Sequence, residues 1–191
     1  MSCNITVGFA LCGSFCTFSS VITHVKELKD KGYDILPIMS EISYTTDTRF
    51  GTAESFIEEI EDICGNKIIH SVKDAEPIGP KKLLDIMVIA PCTGNTLAKL
   101  ACGIADSSVT LATKAHLRNE RPIVIAVSSN DSLANNAKNI GTLLNYKNYY
   151  FVPMKQDAPF SKPRSVVADF SKISDTVLLA LEGKQIQPIW L

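Results

Sequence analysis

Short apolar runs typical of buried strands alternate with amphipathic helical segments along almost the whole chain. The runs that predict strands are 4–11, 34–39, 67–72, 85–90, 122–128 and 149–152. Apolar residues at helical spacing predict a helix around Val21, Ile22, Val25 and Leu28, and further helices at 53–64, 96–104, 107–117, 135–144 and 171–181. Such alternation favours a parallel sheet covered by helices on both faces. We therefore predict one domain over residues 1–191, a three-layer α/β/α Rossmann-like sandwich with a mostly parallel sheet.

The overall composition excludes several classes of protein. The chain has 191 residues, a net charge of −1 and a pI of about 6.3, so it lacks the excess of Lys and Arg that general nucleic-acid binding needs. No apolar run approaches the roughly 18–20 residues of a membrane-spanning helix. The first residues pass directly into strand-like sequence, so no signal peptide is recognised and a cytoplasmic protein is expected.

Neither the cysteines nor the histidines form a recognisable metal site. The six cysteines are at positions 3, 12, 16, 64, 92 and 102, with no C-x-x-C pair and no histidine at zinc-finger spacing. Several lie in apolar runs, where cysteine acts as a small hydrophobic residue. The three histidines, at 24, 70 and 116, are scattered and are interpreted as structural or exposed. We expect a reducing compartment, no disulfide framework and no metal.

Four polar segments follow predicted strands and should share one edge of the sheet. They are 11–14 (LCGS), 40–41 (SE), 91–96 (PCTGNT) and 128–131 (SSND). In open α/β sheets, ligands bind outside the carboxyl ends of the strands. Hydroxyls, amides and glycine suit hydrogen bonding to a phosphate and to a polar ring edge, whereas typical metal ligands are scarce there. The sequence therefore predicts an organic, phosphate-bearing ligand at this edge.

The first two segments leave two pairs of alternatives open. VGFALCGSFCTF at 7–18 contains neither G-K-[ST] nor a complete G-x-G-x-x-G. Gly13 would allow an anion to approach and Ser14 would add a donor, but Ser14 could equally be an ordinary helix N-cap. In the second segment, Glu41 would suit the ribose of a dinucleotide, and Ser40 the phosphate of a mononucleotide. The incomplete glycine pattern favours the mononucleotide.

The third segment could serve a helix, a ligand or both. Thr93 and Asn95 could simply cap the helix that follows. Pro91 and Gly94 flank them in a turn at the same edge of the sheet, and we therefore favour ligand contact.

The stretch APCTGNTLAKLACGIAD at 90–106 resembles the flavin-binding segment of the homo-oligomeric flavin-containing cysteine decarboxylases and the flavin prenyltransferases. RPIVIAV at 121–127 and the serine of the first turn fit the same pattern, and the resemblance covers almost the whole chain. It implies FMN, since a single phosphate-binding turn without a ribose acid suits a mononucleotide. It also implies a homo-oligomer, a trimer or larger, with flavin near an interface between protomers. The flavin contacts that it implies are Gly13, Ser14, Ser40, Pro91, Thr93, Asn95, Arg121, Ser128 and Ser129.

Departures from the family pattern count against the chemistry of both groups. The decarboxylases share a histidine base after the third strand, where this chain has AEPIGP at 75–80. They also carry P-x-M-N-x-x-M-W, where this chain has SSND at 128–131. The arginine–glutamate pair of the prenyltransferases is missing from the same stretch. A decarboxylase or prenyltransferase stays open as an alternative, as does a non-catalytic binding subunit.

Four loop stretches resemble one branch of this family, the flavoprotein-like subunits of a two-subunit oxidoreductase from spore-forming bacteria. They are TDTRFG at 46–51, AEPIGPK at 75–81, NDSL at 130–133 and QDAPFSKPRSVV at 156–167. This resemblance implies aromatisation of a dihydropyridine dicarboxylate during sporulation, in the mother-cell cytoplasm. Flavin would accept the hydride, and NADP would belong to a separate A subunit.

The implied reaction needs a proton acceptor and partners for two carboxylates. Asp131 is the predicted proton acceptor. The carboxylates of a dianionic substrate require cationic or N–H partners in a partly dry pocket. The candidates for this role are Arg49, Asn130, Lys155, Lys162 and Arg164, of which the lysines and arginines lie on the two long loops at 41–51 and 153–164.

Overall fold

The computed structural model describes residues 5–191, which form a central sheet of seven strands flanked by eight α-helices. The strands are β1 (Thr6–Leu11), β2 (Asp34–Met39), β3 (Ile86–Cys92), β4 (Ile123–Ser129), β5 (Tyr149–Phe151), β6 (Met154–Lys155) and β7 (Val166–Ala168). The helices are α1 (Phe18–Asp30), α2 (Glu41–Thr45), α3 (Ala53–Cys64), α4 (Val72–Ala75), α5 (Gly94–Ala101), α6 (Ser108–Leu117), α7 (Ala137–Leu144) and α8 (Ile173–Leu181). Asn4, the predicted start of the first strand, lies outside the described residues.

The order of the strands creates a topological switch point between β1 and β3. Strands β2, β1, β3 and β4 lie side by side in that order and are parallel. β5 pairs in parallel with the first half of β4, whereas β7 pairs antiparallel with Ser128 and Ser129 at its end. β6 pairs antiparallel with β7. Because β1 lies between β2 and β3, the winding direction reverses between β1 and β3, where open α/β sheets bind ligands.

Alternating side chains divide the interior into two cores. In β1, Val7, Phe9 and Leu11 face a core completed by α1, α3 and α8, whereas Ala10 and, just after the strand, Cys12 face a core completed by α5, α6 and α7. This period of two is the geometry of a strand that is buried on both faces. The predicted three-layer sandwich with a mostly parallel sheet is therefore confirmed.

Helix α3 shows how local sequence sets an element where the signals agree. The Thr52 hydroxyl accepts a hydrogen bond from the Ser55 N–H at 3.1 Å and begins the helix. Phe56 and Ile60 face the core, and Gly65 ends the helix with a left-handed φ of 69°. The observed bounds match the predicted 53–64.

The short elements differ from the predictions. The expected strand at 67–72 is wrong, because Ile69 forms only an isolated bridge with Ile38 and Ser71 already caps α4. Helix α2 and the β6–β7 hairpin were not predicted and lie in or beside the two long loops. These elements have two to five residues, which is too few for a periodic pattern of apolar side chains. Their formation depends instead on long-range strand pairing and on local helix caps.

Residues 5–191 contain neither a membrane-spanning helix nor a metal-binding cluster. No helix in this range is long and apolar enough to cross a bilayer. No group of three or more His, Cys, Asp or Glu residues within it could hold a metal ion. The five cysteines described are free, and burial raises the pKa of Cys12 to about 11 and that of Cys64 to about 12. These two thiols are therefore protonated at neutral pH.

Candidate functional site

A polar cavity of about 720 Å³ lies at the carboxyl ends of β1, β3 and β4. The segment between β6 and β7 forms its outer wall, because β7 pairs with the end of β4. The sequence-predicted residues that line it are Gly13, Ser14, Thr93, Asn95, Ser128, Ser129, Asn130, Asp131 and Lys162. Its volume falls within the range of small-molecule and cofactor sites.

The turn after β1 presents hydrogen-bonding groups, and the side chain of its serine does not cap a helix. Ser14 makes no side-chain cap bond, and its Oγ instead lies 2.9 Å from Ser128 Oγ. The Thr17 hydroxyl donates to the Ser14 carbonyl oxygen at 2.8 Å and braces the turn. Within residues 5–191, the N–H groups of Phe15 and Cys16 have no acceptor. The ordinary N-cap alternative for Ser14 is therefore not what this turn adopts.

Gly13 has no structural requirement for glycine inside the chain. It does not adopt a left-handed φ. A Cβ atom there would meet Ile42 Cγ2 at 3.5 Å and Phe15 at 3.6 Å, both ordinary van der Waals distances. An open approach to the backbone is what a glycine offers when a ligand packs directly on it.

The turn after β3 serves a helix and also lines the cavity. Thr93 Oγ1 accepts a hydrogen bond from the Thr96 N–H at 3.3 Å and caps α5. Asn95 is exposed in the cavity, and its amide has no partner elsewhere in the described chain. Pro91 is buried in β3 behind this turn, and its carbonyl oxygen accepts from the Cys12 N–H at 3.3 Å. Pro91 therefore supports the turn from outside the cavity.

The Asp131 carboxylate links the turn after β4 to the start of α7 by hydrogen bonds and packs against the start of α5. Asp131 Oδ1 accepts from the Ser129 hydroxyl at 2.6 Å, and both its oxygens accept from Asn136 Nδ2 at 2.8 Å. This cluster packs against Gly94, where a Cβ would meet Ser129 Oγ at 2.6 Å and Asp131 Oδ1 at 2.8 Å. The turn leaves Asn130 exposed in the cavity. These contacts favour a structural role for Asp131, and its proton-acceptor role stays a prediction.

The residues of the second turn are occupied away from the cavity. Ser40 caps α2, and its Oγ lies 2.7 Å from Ser43 Oγ. Glu41 Oε1 accepts from the Ser108 N–H at 2.7 Å, at the start of α6. Glu41 is therefore engaged by a helix terminus, which leaves the mononucleotide alternative as the better fit. Ser40 does not line the cavity, and its predicted phosphate contact stays a prediction.

Arg121 lies at the opposite edge of the sheet. It precedes β4, and seven extended residues place the two ends of that strand about 20 Å apart. Its guanidinium donates to the carbonyl oxygens of Lys82 and Leu84 and lies 3.3 Å from Asp85 Oδ1. Arg121 therefore does not line the cavity of its own chain and instead fastens the segment before β3, and its expected flavin contact stays a prediction.

Of the four cationic residues predicted to bind substrate, one lines the cavity and three do not. Lys162 lines the cavity, and its Nζ lies 3.3 Å from Asp157 Oδ2. The Arg49 guanidinium stacks on the Phe50 ring, 4.8 Å from its centroid. Lys155 and Arg164 are exposed and do not line the cavity. Substrate roles for these three stay predictions.

Several residues that line the cavity were not predicted from the sequence. They are Cys16, Thr17, Gly94 as a lining residue, Asn136, Asp157, Ser165, Val166 and Val167. Cys16 and Thr17 follow the first turn, and that proximity was an available signal. The residues from 157 onward reach the cavity only through the antiparallel pairing of β7 with β4, which has no signature in the local sequence.

A second cavity, of about 580 Å³, lies beside α5 and α6 and is largely apolar. It contains none of the strand-end turns. The polar cavity is therefore the candidate site.

Comparison with known proteins agrees with this architecture. The sequence profile of the family described as Flavoprotein matches residues 1–179. The B subunit of dipicolinate synthase from Bacillus subtilis (strain 168) is 44% identical over 183 residues, covering 96% of this chain and 92% of the relative. The crystal structure of the dipicolinate synthase B subunit from Bacillus halodurans superposes with a TM-score of 0.90 at 42% identity, covering 98% of this chain and 96% of that one.

A more distant solved structure shares the fold. The FMN-dependent cysteine decarboxylase SpaF is 25% identical, with a TM-score of 0.68 and coverage of 92% of this chain and 97% of that one. The likeness extends over nearly the full length of every protein named, so it is not confined to one motif. The resemblance inferred from the loop stretches is thereby confirmed. This chain belongs to the flavoprotein family and, within it, to the group of dipicolinate synthase B subunits.

Proposed function

We propose that this chain is the flavoprotein-like B subunit of a dipicolinate synthase, which oxidises dihydrodipicolinate to dipicolinate (pyridine-2,6-dicarboxylate) during sporulation. It would act with an A subunit that carries NADP, as an oxidoreductase of the CH–CH class. The observation that carries this proposal is the likeness to the Bacillus subtilis relative over 92% of that protein. The polar cavity at the strand ends supports the proposal, because it is large enough to hold a cofactor and a small substrate.

The residues of the cavity fit FMN. The N–H groups of Phe15 and Cys16 would face the phosphate, Gly13 would allow its approach, and the Ser14 hydroxyl would contribute a further hydrogen bond. The amides of Asn95 and Asn130 have no partners in the described chain and suit the ribityl chain or the polar edge of the ring. When bound, the flavin supplies a hydride acceptor.

The chemistry left to the protein is binding and proton removal. Aromatising the dihydropyridine ring releases one hydride and one proton. The proton would pass to water in the cavity or to the Asp131 carboxylate, whose oxygens already accept from Ser129 and Asn136. The main task of this chain is therefore to hold the substrate beside the flavin.

A non-catalytic binding subunit is the second candidate. The observation that favours it is the state of the carboxylates that line the cavity. Asp131 is bound to Ser129 and Asn136, and Asp157 is paired with Lys162. Within the described residues the cavity therefore offers no unengaged carboxylate as a general base. In this alternative the chain holds flavin and organises the A subunit. The decarboxylase and prenyltransferase alternatives gain no comparable observation.

Two measurements test the proposal in sequence. The visible absorption spectrum of the purified chain, with FMN added if it is colourless, reports whether flavin binds. Dipicolinate formation is then measured with this chain, with the A subunit and with both together. Flavin binding and turnover that needs both chains are the expected results. Bound flavin together with full activity of the A subunit alone would favour the non-catalytic alternative, and absence of flavin binding would overturn the cofactor assignment.

The assembly and location are part of the same proposal. We infer a homo-oligomer, a trimer or larger, in the cytoplasm of the mother cell. Light scattering on the purified chain measures its mass directly, and a monomer at micromolar concentration would contradict the first inference. A fluorescent fusion imaged during sporulation tests the second.

A further inference from the structure

The charges that line the cavity are few and uneven. Among the described residues, those that line it with a charged side chain are Asp131, Asp157 and Lys162. The Asp131 carboxylate already accepts hydrogen bonds from Ser129 and Asn136 in the turn after β4. Lys162 is therefore the only cation that the described part of the chain places in a cavity expected to receive a dianion.

The backbone around Lys162 is fixed, whereas its ammonium group is available. The Lys162 N–H donates to the Ala158 carbonyl oxygen at 2.7 Å, and its own carbonyl oxygen accepts from the Ser165 N–H at 3.0 Å. The side chain is 60% exposed, and its Nζ contacts Asp157 Oδ2 at 3.3 Å. That distance exceeds the roughly 2.7–2.9 Å of a strong charge-assisted bond. An ammonium has three donors, so at least two remain for a ligand.

Asp157 keeps its negative charge beside this lysine. Hydrogen bonding from Ser165, followed by the bond from Lys162, holds the pKa of the Asp157 carboxyl below its usual value. The carboxylate positions the ammonium and repels a second anion from the same corner. One ligand carboxylate can replace part of the water around the Lys162 ammonium group. A second carboxylate at the same ammonium group would come close to the Asp157 carboxylate and be repelled by it.

We propose that Lys162 is a specificity-determining residue that binds one carboxylate of the substrate, while Asn130, whose side-chain amide has no hydrogen-bond partner within residues 5–191, binds the other from the turn after β4. This inference rests on the proposed function, because it takes the substrate to be a ring dicarboxylate. It replaces a general role for the loop cations with one defined residue. The cavity would thus select dicarboxylates over neutral or singly charged rings of the same size.

The test measures binding, with no turnover needed. Isothermal titration of the FMN-supplemented chain with pyridine-2,6-dicarboxylate is compared with titration by the neutral pyridine-2,6-dicarboxamide. We expect Lys162→Gln to weaken dicarboxylate binding about 10-fold, the size of a lost charge-assisted contact at a partly exposed site. Binding of the diamide should not change, and Lys162→Arg should restore most of the dicarboxylate affinity because it keeps the charge.

A matched variant separates position from total charge. Lys138→Gln removes the same charge from an exposed position on α7 that does not line the cavity, and it should bind the dicarboxylate as the wild-type chain does. Equal losses in both lysine variants, an unchanged affinity in Lys162→Gln, or no saturable binding of the dicarboxylate to the wild-type chain would each overturn the proposal. The flavin spectrum of each sample is recorded separately, so loss of the flavin site, which would count against the proposed function, is distinguished from loss of carboxylate recognition.

Discussion

The hydroxyl oxygens of Ser14 and Ser128 lie 2.9 Å apart, although the two residues are 114 positions apart in the chain. Ser14 follows β1 and Ser128 is near the end of β4, and β3 lies between those two strands. The contact therefore spans the carboxyl end of β3 and closes the floor of the cavity. It makes the turns after β1 and β4 one hydrogen-bonded unit.

Replacing Ser14 with aspartate should abolish flavin retention. The new carboxylate would lie beside the proposed phosphate position, where like charges repel at short range. The flavin absorbance per mole of purified chain measures the effect. Ser19→Asp adds the same charge on an exposed position of α1 and should leave flavin content unchanged. Flavin content that survives in Ser14→Asp would exclude this turn as the phosphate site.

Bound flavin should protect Cys16 from alkylation. Cys16 is exposed and lines the cavity, whereas Cys102 is exposed outside it. Iodoacetamide labelling followed by peptide mass spectrometry should therefore show FMN slowing the reaction at Cys16 while Cys102 reacts at an unchanged rate. Equal rates at Cys16 with and without FMN would place the cofactor elsewhere.

Two glycine variants should have opposite effects on stability. Gly94→Ala introduces a Cβ at 2.6 Å from Ser129 Oγ and should cost about 1–3 kcal/mol as the polar cluster shifts. Gly141→Ala lies in α7 with no heavy atom within 4 Å of the new Cβ and should stabilise the chain by about 0.5–1 kcal/mol. Urea unfolding compares both with the wild type. A Gly94→Ala variant as stable as the wild type would show that the cluster is looser than its distances indicate.

Asp131→Asn and Asn136→Ala separate the two roles of Asp131. Both changes disrupt the contact between the carboxylate and the Asn136 amide, so each should cost about 1–3 kcal/mol of stability. We expect turnover with the A subunit to fall in parallel in the two variants, because both release the turn after β4. A kcat that collapses only in Asp131→Asn would instead identify Asp131 as the proton acceptor.

His116 should make the folded chain sensitive to acid. Burial lowers the pKa of His116 from 6.5 to about 4, and its Nε2 lies 3.1 Å from the Pro122 carbonyl oxygen, to which it donates. The unfolded chain therefore binds this proton first as pH falls, and about 3 kcal/mol of stability is lost between pH 6.5 and about 4. Urea unfolding of wild type and His116→Gln across this range measures the contribution.

Replacing His116 should remove its contribution to the loss of stability at low pH. His116→Gln should flatten the decline in stability below pH 6.5, since glutamine does not titrate. The same slope in the wild type and in His116→Gln would show that other groups control the acid response.

Sequence alone was sufficient for the layered architecture and for several of the residues that line the cavity. Strand and helix periods predicted the layers, because burial on two faces imposes a period of two on a strand such as β1 and a period near 3.6 on its covering helices. The rule that ligands bind at the carboxyl ends of parallel strands then placed Ser14, Thr93, Asn95 and Ser128 together, and the structure brings all four to one cavity.

Only the tertiary structure decided which charged residues line the cavity. Lys162 enters the cavity because β7 pairs antiparallel with β4, whereas Arg121, at the other end of β4, is held against Leu84 and Asp85. The tertiary structure also shows that the Asp131 carboxylate accepts a hydrogen bond from the Asn136 amide and packs against Gly94. The order of residues along the chain does not predict these contacts. The physical reason is that local sequence encodes burial and turn geometry, whereas the partners of a charged side chain depend on contacts between segments far apart in the chain.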